Sequence, residues 1–305
     1  MESRRIGSLE VSAVGLGCNN FGTRLDYFGT AAVVESALDA GVTFFDTADN
    51  YGGGDSETFL GRALEGRRAA VAIATKFGMP VRRRPGGAGP EHVRRACEDS
   101  LRRLRTDHID LYQLHRPDPR VPIADTLGAL HDLVRSGKVR EIGCSNFTAA
   151  QLRAAGGGVA FASVQTGYNL LHRERERELL AECARLGIAF IPAGPLAGGR
   201  LSGKYRRGRP LPRGTRLVPK SGVGKPAVPG LDLAFIEALA EFAEARGHTL
   251  PELAIAWLLS RREISSVIAG AMSAEQVRAN VAADGWQLTE ADLAGIDRIT
   301  AASLD

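Results

Sequence analysis

Residues 43–57 read TFFDTADNYGGGDSE: a short apolar run ends on a carboxylate at Asp46, and Tyr51 and three glycines follow. A run of this length, bounded by a glycine cluster, has the pattern of a buried strand that gives way to a loop. The same pattern recurs downstream. ATKFG at 74–78 places Lys76 at the end of an apolar run, and LYQLHRPD at 111–118 does so with His115. A fold that gathers strand ends would bring a carboxylate, a phenol, an amine and an imidazole together.

Candidate strands fall at 14–17, 43–46, 71–75, 109–114, 141–144, 162–165, 189–192 and 266–269. Amphipathic helical stretches sit between most of them, as at 31–40, 91–104, 123–136 and 174–186. Eight strands, each followed by helical material, is the count of a closed α/β (β/α)8 TIM barrel, whereas an open doubly wound sheet usually stops near six. Residues 3–12 alternate around a Gly-Ser turn and predict a short N-terminal β-hairpin ahead of the barrel. Segment 198–231, rich in Gly, Pro and Arg, is too long for an ordinary connection and is read as functional or mobile. Nothing cuts the chain in two, so one domain over residues 1–305 is expected. The RERERE run at 173–178 reads as a solvated helix face with i,i+3 ion pairs.

Composition narrows the class. With 44% hydrophobic and 24% charged residues the chain has ordinary globular proportions. No stretch approaches the ~18 apolar residues of a membrane helix, and the start, MESRRIGSLEV, lacks the apolar core of a signal peptide, so a cytoplasmic protein without a membrane partner is expected. Cys18, Cys97, Cys144 and Cys183 are widely spaced without a CxxC pair, which favours free thiols over a metal site. The net charge of +4 is local: residues 203–225 hold eight Lys and Arg and no acid, and the remainder nets −4. One basic loop suits a small anion better than a nucleic acid, which needs an extended stripe of phosphate contacts.

In a barrel of this kind active sites lie at the carboxyl ends of the strands. Asp46, Lys76 and His115 end three consecutive strands and Tyr51 follows the first of them, so the four converge on one rim. A free phenol titrates near 10, too high to trade protons freely at neutral pH. An ammonium at Lys76 would lower that value, and Asp46 would keep Lys76 charged and aimed. His115 could bond a carbonyl oxygen or relay a proton.

On these residues the sequence resembles the aldo-keto reductase superfamily from about residue 3 to 300. RSGKVREIGCSNF, VQTGYNLL, GPLAGGRLSGKY and VIAGAMSAEQVRAN follow in that family's order. The resemblance implies a (β/α)8 barrel and reversible reduction of an aldehyde or ketone with NADPH, with NADH as the alternative. Tyr51 would be the acid, Lys76 and Asp46 its tuners, and His115 the group that orients the carbonyl.

No GxGxxG follows a strand, which argues against a Rossmann fold. The resemblance instead implies an extended dinucleotide across the barrel mouth. Ser145, Asn146 and Gln165 would hold the carboxamide, Leu196, Gly198, Arg200 and Lys204 would lie along the pyrophosphate, and Gly270, Met272, Gln276 and Asn280 would sit near the adenosine. Two positions depart from the family pattern. Ala193 stands where an aromatic commonly stacks on the nicotinamide, leaving that surface to another residue such as Tyr168 or Phe21. Met272 stands where many members place an arginine on the 2′-phosphate; Arg206, Arg207, Arg209, Arg213 or Arg278 are candidate replacements.

The small-molecule carbonyl substrate is less legible. Asn19, Asn20, Phe21, Phe77 and Arg116 are candidate wall residues, and a mixture of amide and aromatic surface suits a sugar or hydroxy-ketone. The Arg82–Arg84 run is read first as surface charge and second as pocket wall. Two alternatives stand beside a carbonyl reductase: a nucleotide-sensing regulatory subunit on the same fold, and a ketoreductase of nucleotide-linked sugars whose basic loop holds substrate phosphate. The oligomeric state is left open.

Overall fold

A computed structural model describes residues 1–156, 161–208 and 233–301. Its strands are β1 Ser3–Ile6, β2 Leu9–Ser12, β3 Val14–Gly17, β4 Phe44–Asp46, β5 Ala72–Phe77, β6 Ile109–Leu114, β7 Val139–Ser145, β8 Ser163–Gly167, β9 Ala189–Ala193 and β10 Val267–Gly270. The helices are α1 Tyr27–Asp39, α2 Asp55–Ala63, α3 Pro90–Leu104, α4 Ile123–Arg135, α5 Ala149–Ala154, α6 Ala181–Leu186, α7 Leu233–Glu244, α8 Leu250–Leu259, α9 Ala274–Ala282 and α10 Glu290–Ala301. Strands β3 to β10 close into a parallel barrel in chain order, β10 pairing with both β3 and β9.

The strands run slightly past the apolar residues that announce them. β5 continues to Phe77 because Lys76 and Phe77 pair with Gln113 and Leu114 of β6, and β7 continues to Ser145, which pairs with Gln165. Ladder pairing, not apolarity, ends a barrel strand, so polar residues at the rim are still part of it.

Pleating decides which residues face the barrel interior, since successive side chains point to opposite faces. Lys76, Gln113 and Asp46 meet inside the barrel. Their neighbours Phe77 and Tyr112 point outward and stack on each other at 4.7 Å in the layer under the helices. The main core lies in that layer between strands and helices.

The amino-proximal end of the barrel is closed by the hairpin. β1 and β2 pair antiparallel in the register Ser3↔Ser12 to Ile6↔Leu9, around a turn at Gly7 with φ +55°. Ile6, Leu9 and Val11 are buried with Phe44, Ala72, Leu111, Ile191 and Ile268 in a second apolar cluster. The hairpin is therefore a plug.

Two expectations need correction here. The stretch 174–186 is not one regular helix: Glu176–Leu180 form a π turn that leads into α6. Nor is RERERE simply solvated. Arg173 does pair with Glu176, but it also bonds Asp297, and Glu176 accepts from the buried Tyr168 hydroxyl at 2.6 Å. Of the basic segment, residues 209–232, including Arg209 and Arg213, lie outside the described residues.

Candidate active site

Asp46 ends β4, and the chain then turns back over the barrel mouth. The Thr47 amide donates to Ala74 O at 2.8 Å and the Asp49 amide to Lys76 O at 3.0 Å, so this loop follows β5. Tyr51 opens a tight turn in which Gly52, Gly53 and Gly54 all have positive φ (59°, 67° and 102°), a backbone that L side chains adopt only at a cost. At Gly52 a Cβ would also lie 3.0 Å from Phe21 O. The three glycines are thus the reason the phenol returns to the rim. His115 follows β6, its amide bonded to Phe77 O at 2.9 Å.

The four residues are brought together. Lys76 Nζ donates to Asp46 Oδ1 and Oδ2 at 2.9 and 2.7 Å and to Thr47 O at 2.8 Å, with only 1% of the lysine exposed. It lies 5.2 Å from the Tyr51 ring centroid, and the Tyr51 and His115 rings meet edge to face at 5.9 Å. Asp46 Oδ1 also accepts from Gln165 Nε2 at 3.0 Å and Gln113 Nε2 at 3.4 Å. Gln113 was missed by the sequence reading; its inward register opposite Lys76 is the signal that would have found it.

Electrostatics correct one expectation. The Lys76 ammonium does pull the Tyr51 phenol down, but burial and the Asp46 carboxylate together outweigh it, leaving the phenol above its ordinary value. Burial likewise opposes the charge on Lys76, yet Asp46 and Tyr51 more than restore it and hold the ammonium. His115 is pushed down to about 3 by burial and by the neighbouring Lys76 and Arg116 charges, so its ring is neutral at physiological pH. Its Nδ1 is buried without a partner among the described residues.

Beside Tyr51 and Asp46 opens a cavity of about 490 Å³ lined by Asn19, Asn20, Gln165, Leu196, Gly198, Lys204, Gly270, Met272, Gln276 and Asn280, among others. Ten residues named from sequence for cofactor or substrate thus share one wall system. Ser145 and Asn146 lie outside it, next to His115, where Asn146 Nδ2 donates to His115 O at 3.0 Å and Ser145 Oγ at 3.1 Å. Arg200 lines a different cavity with Phe235 and Asp297, because the Gly198–Gly199 turn (φ +67° and +97°) carries it to the other side of the loop.

Phe21, Phe77 and Arg116 do not line this cavity. Phe21 and Phe77 are wholly buried, the latter turned outward by the pleat, and Arg116 lines a separate surface hollow with Asn146 and Phe147. Neither Phe21 nor Tyr168 offers the stacking face that Ala193 lacks, since both rings are 0% exposed. Arg206, Arg207 and Arg278 pair with Glu244, Glu237 and Glu275. Among the described residues the cations on the cavity are instead Lys204 and Arg24, the second unforeseen from sequence because it sits in an exposed loop without a motif.

A family model described as "Aldo/keto reductase family" matches residues 13–301. The chain belongs to the aldo/keto reductase family. Among its relatives is a soybean (Glycine max) protein named probable aldo-keto reductase 1, 35% identical over 293 residues, which span 93% of this chain and 84% of that protein. Among solved structures, the glycerol dehydrogenase AKR11B4 from Gluconobacter oxydans superposes with a TM-score of 0.85 at 29% identity, covering 99% of this chain and 95% of that one. The barrel and oxidoreductase chemistry of the aldo/keto reductase kind are thus shared with known proteins. No helix among the described residues is long and apolar enough to cross a membrane.

Proposed function

We propose that this chain is an NAD(P)H-dependent reductase of small, hydroxylated aldehydes or ketones, with Tyr51 as the general acid. The observation that carries the reading is the buried Asp46–Lys76 pair lying under the Tyr51 ring with neutral His115 at its edge.

The cavity suits a dinucleotide by its donor set. Gln165 keeps its carbonyl oxygen for a carboxamide while its nitrogen is held by Asp46. Gly198 has open space where a Cβ would stand, and Lys204 and Arg24 supply positive charge. When bound, a reduced nicotinamide supplies hydride to the carbonyl carbon. Tyr51 gives its phenolic proton to the carbonyl oxygen, and Lys76, held charged by Asp46, stabilises the phenolate left behind. His115, being neutral, orients that oxygen by a hydrogen bond without adding a second charge.

Asn19 and Asn20 on the cavity wall, and the likeness to a glycerol dehydrogenase, favour substrates with hydroxyl groups near the carbonyl. Following NADPH consumption with glyceraldehyde, dihydroxyacetone and aromatic aldehydes tests this. Higher kcat/KM for the hydroxylated compounds is expected. Tight NADPH binding with no turnover on any of them would overturn the reductase reading in favour of a nucleotide-binding subunit. Preference for NADPH over NADH rests in this reading on Lys204 and Arg24, so Lys204→Ala with Arg24→Ala should weaken NADPH about tenfold or more and NADH less. Equal losses would remove these residues from phosphate recognition.

A further inference from the structure

A second, larger cavity of about 930 Å³ lies behind the Tyr51 turn and shares no lining residue with the first. Its walls are the loop at 81–85, the start of α2, and one face of α3. Six arginines line it: Arg82, Arg83 and Arg84 from the loop, and Arg95, Arg102 and Arg103 from α3. The Arg82–Arg84 run is exposed surface charge and at the same time lines this cavity.

The arginines are incompletely matched. Arg82 bonds Gly53 O and Asp55, Arg95 reaches Glu91, Arg103 is held by the buried Glu57, and Arg84 and Arg102 share the single carboxylate of Asp99. Arg83 has no partner among the described residues. Except for Arg103, the paired guanidiniums are more than half exposed. Exposed pairs of this kind contribute little, so their guanidiniums are free to turn to a better partner.

The fifth carboxyl in the region does not neutralise them. Asp49 lines the same cavity at 2% exposure, with Oδ1 unbonded among the described residues. Burial, and then the Glu57 charge, push it up to about 8, so it is uncharged at neutral pH. His92 is a further wall residue whose Nε2 is buried and unpartnered. Its Nδ1 lies 3.3 Å from Arg95, which can only donate, so the ring proton sits on Nε2. A cavity rich in forked donors, with surplus positive charge and two polar groups left unsatisfied, selects an anion with many acceptor oxygens.

We propose that this cavity binds a small organic diphosphate, its two phosphate groups bridging the 81–85 loop and α3. The placing of guanidiniums on both walls argues for two phosphates over one, and the volume leaves room for the organic part. The site stands apart from the cofactor cavity and does not depend on the reductase reading.

Inorganic pyrophosphate is the probe, titrated calorimetrically into the full chain without nicotinamide. Saturable binding at one site is expected, weakened about tenfold or more by Arg83→Ala with Arg84→Ala and retained in Lys204→Ala. Both replaced loop arginines are exposed, so folding is not at risk. Absence of saturable binding would overturn the proposal. So would binding that survives the double arginine change or disappears with Lys204→Ala, since the anion would then sit on the cofactor cavity.

Discussion

At the scale of single residues the site is organised by one buried ion pair. Asp46 and Lys76 are 4% and 1% exposed and are bonded through both carboxylate oxygens. Removing one partner strands the other charge, so Asp46→Asn should lower stability by about 3–5 kcal/mol. Adding Lys76→Met to that variant should recover part of the loss. Urea unfolding of the two variants checks this; a double variant no more stable than Asp46→Asn would contradict it. The rim residues were legible because Asp46, Lys76 and His115 each stand at or just past the end of an apolar run and Tyr51 follows the first of these in a glycine-marked turn. Phe77 was misplaced because an aromatic beside Lys76 suggests a pocket wall, whereas strand pleating turns every second residue outward; Phe21 was misplaced because the loop after β3 buries its ring completely. Whether Tyr51 titrates above or below its usual value was not legible at all, since it depends on the balance of Lys76 against burial and Asp46.

At the scale of elements the β4–α2 connection is the working part. Gly52→Ala puts a Cβ into a left-handed backbone and 3.0 Å from Phe21 O, a cost of about 1–2 kcal/mol before the contact is counted. Displacing the turn by even an ångström should lower kcat about a hundredfold. Near-normal kcat in a folded Gly52→Ala chain would show that the turn does not position the phenol. The same connection carries a pH signature. Asp49 keeps its proton in the fold up to about pH 8 but releases it near 3.8 when unfolded, so the folded state binds the extra proton between those values and loses stability as pH rises through that window. Asp49→Asn cannot release a proton. Its melting temperature relative to wild type should therefore climb between pH 4 and pH 8, and a constant difference would refute the assignment. The glycine run announced a turn, but the carboxyl buried inside it gave no signal, because burial is a property of the assembled loop, α2 and α3.

At the scale of the whole molecule the eight-strand count foretold the barrel, and periodic turn chemistry around Gly7 foretold the hairpin. That the hairpin stoppers the barrel was not foreseen, since it requires the three-dimensional register that brings Ile6 and Leu9 against Phe44 and Leu111. Leu9→Ala should cost about 2–5 kcal/mol by opening a cavity there. Turnover of the folded enzyme should be unaffected, because the plug lies at the opposite end from the rim; a kcat that falls with stability intact would show coupling between the ends. The barrel collects residues from three consecutive strand connections around one phenol, and in the proposed mechanism that phenol is the acid. Single-turnover reduction of glyceraldehyde by NADPH in Tyr51→Phe tests that most directly. The rate should fall about 10²–10⁴-fold with the NADPH dissociation constant unchanged, whereas a rate within a few fold of wild type would contradict Tyr51 as the acid.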